Sequence, residues 1–179
     1  MVQSGDWTES STDHSRWMSV KNAMTSDVIS IRSTQKVMDA WLVLMEADMS
    51  GAPVVDDSGQ LVGVLSNTDI FKAILDRVVK ARSLREAMKQ MSDPEATGKE
   101  EMRELVLAIR AVIDSPVTLV LPKEQKVLSL SPEASFERAI KMLAEHNVNR
   151  LPVVKGNQVV GIITRQDVIW ILAGRPRSA

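Results

Sequence analysis

The apolar positions of this chain fall into short blocks whose spacing switches between the extended and the helical period, and the same order of blocks occurs twice. Val28-Ile29-Ser30-Ile31 reads as a short buried strand, and Val37, Ala40, Trp41 and Leu44 follow at i, i+3, i+4 and i+7, one face of a helix. Pro53-Val54-Val55 and Leu61-Val62-Gly63-Val64-Leu65 are β-branched runs around Asp56-Asp57-Ser58-Gly59-Gln60, which predicts a hairpin. A helix beginning near Ser66 is expected to carry Ile70, Phe71 and Ile74 inward. The second set runs through a strand from Val127 to Leu130, a helix face of Phe136, Ala139, Ile140 and Leu143, and a strand from Leu151 to Val154. It then takes the turn Lys155-Gly156-Asn157, a strand from Val159 to Ile163 and a helix over Thr164 to Leu172. Ser131-Pro132 is expected to cap the first of these helices, with proline at its first position.

The two sets align without a gap from Val28 and Val127 to Val55 and Val154, at an offset of 127 − 28 = 99. Past the turn Gly63 meets Gly161 and Asp69 meets Asp167, at 161 − 63 = 98. A fixed internal period implies a unit that buries one face against its copy, so the expected fold class is α+β, two β-α-β-β-α units related by a pseudo-twofold axis. The insert between them, about Arg77 to Ser115, is longer than a simple connector. It continues the preceding helix, breaks at Asp93-Pro94 through Gly98, and resumes as an amphipathic helix marked by Met102, Leu105, Val106, Ile109, Val112 and Ile113. A helical hairpin or a dimer contact is expected there. The expected division is a flexible tail over 1–18, unit one over 19–76, the insert over 77–115, unit two over 116–174 and a short tail over 175–179.

Composition narrows the chemistry. At 179 residues and 44% hydrophobic content the chain can bury a core. A formal net charge of −1 removes the electrostatic argument for generic nucleic-acid binding. The absence of cysteine excludes disulfides, Cys-based zinc sites and thiol catalysis. Two histidines, His14 and His146, leave little for a metal or a His-based base, and His146 is read as a loop or cap residue. No apolar run approaches a bilayer span and the start of the chain is polar, so no membrane partner is expected and the cytoplasm is the expected address.

The candidate sites are Ser66-x-x-Asp69 and Thr164-x-x-Asp167, each after a β-branched strand and at a helix start. Unpaired N–H groups there can receive a phosphate, to which the Ser66 or Thr164 hydroxyl can donate. A carboxylate one turn in can accept from both hydroxyls of a ribose. The same phrase is also a capping box, and the two roles can coexist. In the second unit Arg150 precedes the proline strand and Arg165 lies within the helix-start phrase, where a guanidinium can pair with phosphate. The Asp167 cleft is therefore expected to prefer a phosphorylated nucleotide, and the Asp69 cleft to be weaker, empty or filled by an uncharged nucleoside part. Trp41 and Trp170 are read as packing or dimer-contact residues.

With these residues in place, the chain resembles a pair of CBS domains, the Bateman module. The resemblance rests on Met24-Thr25, the Pro53-Val54-Val55 and Pro152-Val153-Val154 strands, and the phrases Gly63-Val64-Leu65-Ser66-Asn67-Thr68-Asp69 and Gly161-Ile162-Ile163-Thr164-Arg165-Gln166-Asp167. It covers roughly residues 20–75 and 117–173. It implies two units packed through their sheets with two clefts, an adenosine-containing ligand such as AMP, ADP, ATP or S-adenosylmethionine, regulation of an attached or partner protein, and flat homodimers. Carried over by position, it implies adenine contacts at Thr25, Val28, Ala52 and Pro53 in the first unit and at Val127, Leu151 and Pro152 in the second. Pro122-Lys123-Glu124 stands where Met24-Thr25 would be echoed, which puts a threonine contact there in doubt.

The expected function is a regulatory, energy-sensing type of nucleotide-binding module with an unidentified protein partner. No catalytic constellation, Walker loop or Gly-x-Gly-x-x-Gly competes with it, so an enzyme is not expected. The alternative is a ligand-independent dimerisation or interaction scaffold using the insert, whose Met88 and Met91 offer an adaptable surface. A DNA-reading insert is disfavoured by the near balance of its charges.

Overall fold

A computed structural model of the chain describes residues 19–89, 98–122 and 127–174. The tails expected at 1–18 and 175–179, the break at Asp93-Pro94 and Met91 lie outside the described residues. The elements run α1 (Val20–Ala23), β1 (Ile31–Arg32), α2 (Val37–Glu46), β2 (Gly51–Val55), β3 (Leu61–Ser66), α3 (Asn67–Lys89), α4 (Gly98–Ile113), α5 (Phe136–Glu145), β4 (Arg150–Lys155), β5 (Gln158–Thr164) and α6 (Arg165–Leu172). A single 3-10 turn, Val117–Leu119, follows α4. The fold is α+β, as the alternation of periods predicts.

The chain divides into two compact units that do not follow the order of the repeats. A central unit is formed by Ile29–Val127 and contains the first repeat and α4. A terminal unit is formed by the described residues up to Val28 together with those from Leu128 onward. The lead-in of the first repeat therefore belongs with the second repeat. In the terminal unit, the Val20 and Lys21 N–H groups donate to the carbonyls of Ala134 and Pro132, at 2.8 and 2.9 Å. In the central unit, the Val117 and Thr118 N–H groups donate in the same way to Gln35 and Ser33, at 2.9 and 3.4 Å. Val20 and Val117 are both fully buried, one in each core.

This docking explains two departures from expectation. Ser131-Pro132 does not cap α5, which starts four residues later with Ser135 accepting from the Arg138 amide. Instead Ser131 and Glu133 close a turn, Ala134 N to Ser131 O at 3.0 Å, whose carbonyls receive α1. The strand expected over Val28–Ile31 contracts to Ile31–Arg32, paired in parallel with Val54 and Val55. Its forerunner Thr25 pairs elsewhere, with Ile162 of β5.

Each repeat builds an antiparallel hairpin, β2 with β3 and β4 with β5, and each carries a register shift at the same place, Val54/Val55 and Val153/Val154. The loops explain the change of offset from 99 to 98. Asp56 closes on Gln60 around Asp57, Ser58 and Gly59, the Asp56 carboxylate accepting from the Ser58 and Gln60 amides at 2.9 Å. Lys155 pairs with Gln158 around only Gly156-Asn157, with Gly156 at φ +64° in the glycine-first pattern of a type II′ turn. One residue is lost between the copies.

Val37, Ala40 and Leu44 are buried in the central core, and Ala139 and Leu143 in the terminal one. One aromatic expectation fails, that of Phe71 facing inward. Phe71 is 67% exposed because Ile70 takes the core-facing position of α3, and Trp41 is 38% exposed beside the buried Ala40. Both helices α2 and α5 end on a left-handed residue, Asp48 and Asn147 at φ 50°, with Met49 N bonded to Leu44 O and Val148 N to Leu143 O. His146 is the C-cap of α5, as read from sequence.

Candidate functional site

The two hydroxyl-x-x-Asp phrases sit at strand-to-helix junctions of identical construction. Thr164 is the N-cap of α6, with its Oγ1 accepting from the Asp167 amide at 3.2 Å while Asp167 Oδ2 accepts from Thr164 N at 2.8 Å and Thr164 Oγ1 at 2.9 Å. At the start of α3, Asp69 Oδ2 accepts from Ser66 N at 2.9 Å and from Ser66 Oγ at 2.5 Å, and the Asp69 amide donates to Ser66 Oγ at 3.3 Å. Both phrases are full capping boxes.

The boxes decide what each junction can still offer. A hydroxyl has one proton, and here it is given to the aspartate, so neither Ser66 nor Thr164 donates to a phosphate in this arrangement. The first helical amides are also engaged, Asn67 N with Ser50 O and Arg165 N with Asn149 O, both at 3.0 Å. The box on Asp69 uses only Oδ2, so Oδ1 retains its lone pairs for a hydroxyl donor. The chemistry at the junction fits the hydroxyls of a sugar better than a phosphate, which must be met by cations.

Arg165 is not placed to be such a cation. Its Nε donates to Val148 O at 2.9 Å and its Nη2 to Leu143 O at 3.3 Å and Asn147 Oδ1 at 2.9 Å. The guanidinium closes the C-terminal end of α5, where carbonyls lack helical partners and the dipole is negative. Arg150 lies half-buried at the start of β4, opposite Thr164 in the register, and burial pulls its guanidinium below the usual arginine value.

Thr25 was assigned by resemblance to the first repeat's cleft, but its backbone pairs with β5: Thr25 N to Ile162 O at 2.8 Å and Ile162 N to Thr25 O at 2.9 Å. Met24 beside it covers Gly161, where a methyl group would run into the Met24 sulfur. In the central unit Leu121 covers Gly63 in the same way, with its Cδ1 2.8 Å from where a Cβ would stand. The echo of Met24-Thr25 is thus Leu121-Pro122, at 121 − 24 = 97, and not Pro122-Lys123-Glu124. Pro122 has no N–H and cannot make the bond that Thr25 makes.

Ala52, Pro53, Leu151 and Pro152 are fully buried strand residues, whereas Val28 and Val127 are partly exposed. Asp69 also lines a cleft of about 670 Å³ in the central unit. One wall is a face of α3, with Lys72, Ala73, Asp76, Arg77 and Lys80, and the other is Ala111, Val112, Ser115 and the turn Leu119 to Pro122. Lys72, Arg77 and Lys80 were missed in the sequence because the candidate site was read only over the four-residue phrase at the helix start. The signal was their spacing from Asp69, at i+3, i+8 and i+11, along one helix face. Among the described residues no group of three or more His, Cys, Asp or Glu could hold a metal, and no helix is long and apolar enough to cross a membrane.

Comparison with known proteins finds the CBS domain over residues 20–76 and 121–174. The protein MJ1404 of Methanocaldococcus jannaschii is 27% identical over 160 residues, covering 89% of this chain but only 33% of that protein. The chain thus spans about a third of the length of that relative. The crystal structure of CBSX2 in complex with AMP superposes with a TM-score of 0.62 at 22% identity, covering 88% of this chain and 97% of that one. The CBS domain pair of MJ0100, in complex with 5′-methylthioadenosine and S-adenosyl-L-methionine, superposes at 0.60 and 20% identity, covering 87% and 96%. At these identities the superpositions carry the fold.

Proposed function

The chain belongs to the CBS-domain family, and from that premise we propose that it is a regulatory module that binds an adenosine-containing nucleotide at the starts of α3 and α6 and passes its occupancy to a partner protein. The observation that carries this reading is the repeated carboxylate. Asp69 and Asp167 are each oriented by a capping box, at strand-to-helix junctions with matching hydrogen bonds. A preorganised acceptor of this kind suits the two hydroxyls of a ribose. The AMP held by CBSX2 and the adenosyl compounds held by MJ0100 support the same ligand class. Regulation rather than catalysis is the proposed role.

A thermal-shift panel of AMP, ADP, ATP and S-adenosylmethionine against wild-type, Asp69→Asn and Asp167→Asn proteins tests it. Ligand at a hundred times its dissociation constant raises stability by about 2.7 kcal/mol through mass action. A shift in wild type that is lost in one or both variants supports the reading; no shift with any adenosyl compound overturns it. The scaffold reading has its own support in Phe71, Leu75 and Val79, an exposed apolar row at four-residue spacing on α3 that suits a second copy of the chain. Sedimentation of Phe71→Glu beside wild type tests it, a homodimer becoming monomer.

A further inference from the structure

The cleft beside Asp69 is wider than a ribose requires, and its charges are ordered. Lys72, Arg77 and Lys80 follow Asp69 along one face of α3, and Asp76 is the single carboxylate among them. Side chains on a helix lean toward its N-terminus, so these long cationic chains slant back toward Asp69. With Asp69 assigned to the ribose, the lining beyond it holds three cations and one carboxylate. The opposite wall belongs to the end of α4 and the turn after it, where Ala111, Val112, Leu119 and Leu121 supply apolar surface and Ser115 spends its hydroxyl proton on Val112 O at 2.7 Å. Among the described residues the second repeat has no counterpart to Lys72 and Asp76, and the position that matches Arg77, Arg175, lies outside the described residues. At the offset of 98, Lys72 becomes Trp170 and Asp76 becomes Gly174, and α6 has ended at Leu172.

We propose that the α3–α4 cleft of the central unit takes the phosphate chain of a nucleoside di- or triphosphate whose ribose sits on Asp69, so that the first repeat selects polyphosphates and the second does not. This reverses the preference expected from the sequence, which rested on Arg150 and Arg165, the latter engaged at the end of α5. It rests on the ribose reading of Asp69. Because the cleft is walled by α3 on one side and α4 on the other, its occupant ties the repeat to the insert, making the insert the element that responds.

The test is calorimetric titration of the full chain with ATP, AMP and inorganic tripolyphosphate, in wild type, Lys72→Gln/Lys80→Gln and Asp76→Asn. All three positions are exposed, so the fold is kept. Wild type is expected to bind ATP about tenfold tighter than AMP, a difference of about 1.4 kcal/mol. The double variant should bring that ratio close to one by weakening ATP far more than AMP, and Asp76→Asn should widen it. Hydrogen exchange at the end of α4 should slow with ATP and not with AMP. An ATP-to-AMP ratio unmoved by the double variant overturns the proposal while leaving the ribose reading intact. Tripolyphosphate binding that depends on Lys72 and Lys80, with no binding of AMP, keeps the cationic cleft and removes the ribose. Silence toward all three probes overturns both.

Discussion

Two copies of one phrase, Ser66-x-x-Asp69 and Thr164-x-x-Asp167, make the same hydrogen bonds at the same junction, yet their neighbourhoods have diverged at almost every position that touches charge. Where the second repeat has the half-buried Arg150, the first has Gly51, packed so closely that a Cβ would run into Leu65 O and lie 3.0 Å from Ser66 Cα. Where the second has Arg165 on the end of α5, the first has Asn67. Where the first sets Lys72, Arg77 and Lys80 along a long helix, the second ends its helix after Leu172. The lesson is that backbone geometry preserved the carboxylate in both copies while the surrounding charge was free to change. Ligand class is therefore written around the motif and not in it.

The largest expected effect tests the tightest of these differences. Gly51→Ala forces a methyl group onto the backbone of β3, which has no flexible end to move aside, and should cost about 2–3 kcal/mol of stability. Gly161→Ala meets only the mobile end of Met24 and should cost less. Urea denaturation of the two variants checks the order; an equal or reversed ranking would mean that the first repeat's junction is looser than its packing shows.

Arg165→Ala comes next. It removes three charge-assisted bonds from the end of α5 and should lower stability by about 1–2 kcal/mol without changing the ratio of AMP to adenosine affinity. A stable variant that loses its preference for AMP would return Arg165 to the phosphate role first read from the sequence.

That misreading shows where the sequence stops being legible. The hairpins, the amphipathic faces of α2 and α5 and the paired capping boxes all follow from spacings of a few residues, and the periods of two and 3.6 expose them directly. Arg165 reaches partners 17 to 22 residues away, and only the folded chain shows that these are carbonyls in the last turn of α5 and just past its end. The docking of Thr25 on Ile162 spans 162 − 25 = 137 residues and is carried by backbone groups, which leave no mark on side-chain pattern. Phe71 misled because it is adjacent to Ile70, and on α3 the core-facing position falls to Ile70 and leaves Phe71 exposed. The cations of α3 were legible by spacing, but they lie beyond the four-residue phrase on which the site was read.

Thr25→Pro makes the terminal unit imitate Pro122. It deletes one donor and leaves Ile162 O unpaired, at a cost of about 1 kcal/mol, while the extended backbone at Met24 is already compatible with a following proline. Pro122→Thr should change stability little. Hydrogen exchange at the Ile162 amide reports whether the bridge has opened; protection equal to wild type would show that Thr25 does not hold that edge.

The smallest effect separates the two turns that receive the lead-ins. In the terminal unit Glu133 is held below its ordinary value of 4.5, chiefly by the Ser131 hydroxyl and then by its own amide, whereas the matching turn Arg32-Ser33-Thr34-Gln35 contains no carboxylate. A carboxyl group whose folded value is depressed contributes stability above its unfolded value and loses it as pH falls through the folded one. The terminal unit should therefore weaken slightly on acidification through that window, by a route the central unit lacks. Ser131→Ala should move the Glu133 carboxyl back toward 4.5 and flatten the acid slope of stability. Carboxyl-carbon titration by NMR reads the first and urea melts across the acid range read the second. The side chain is fully exposed, so the shift in the titration is the sharper readout, and an unshifted Glu133 in Ser131→Ala would assign its depressed value to the backbone of the turn.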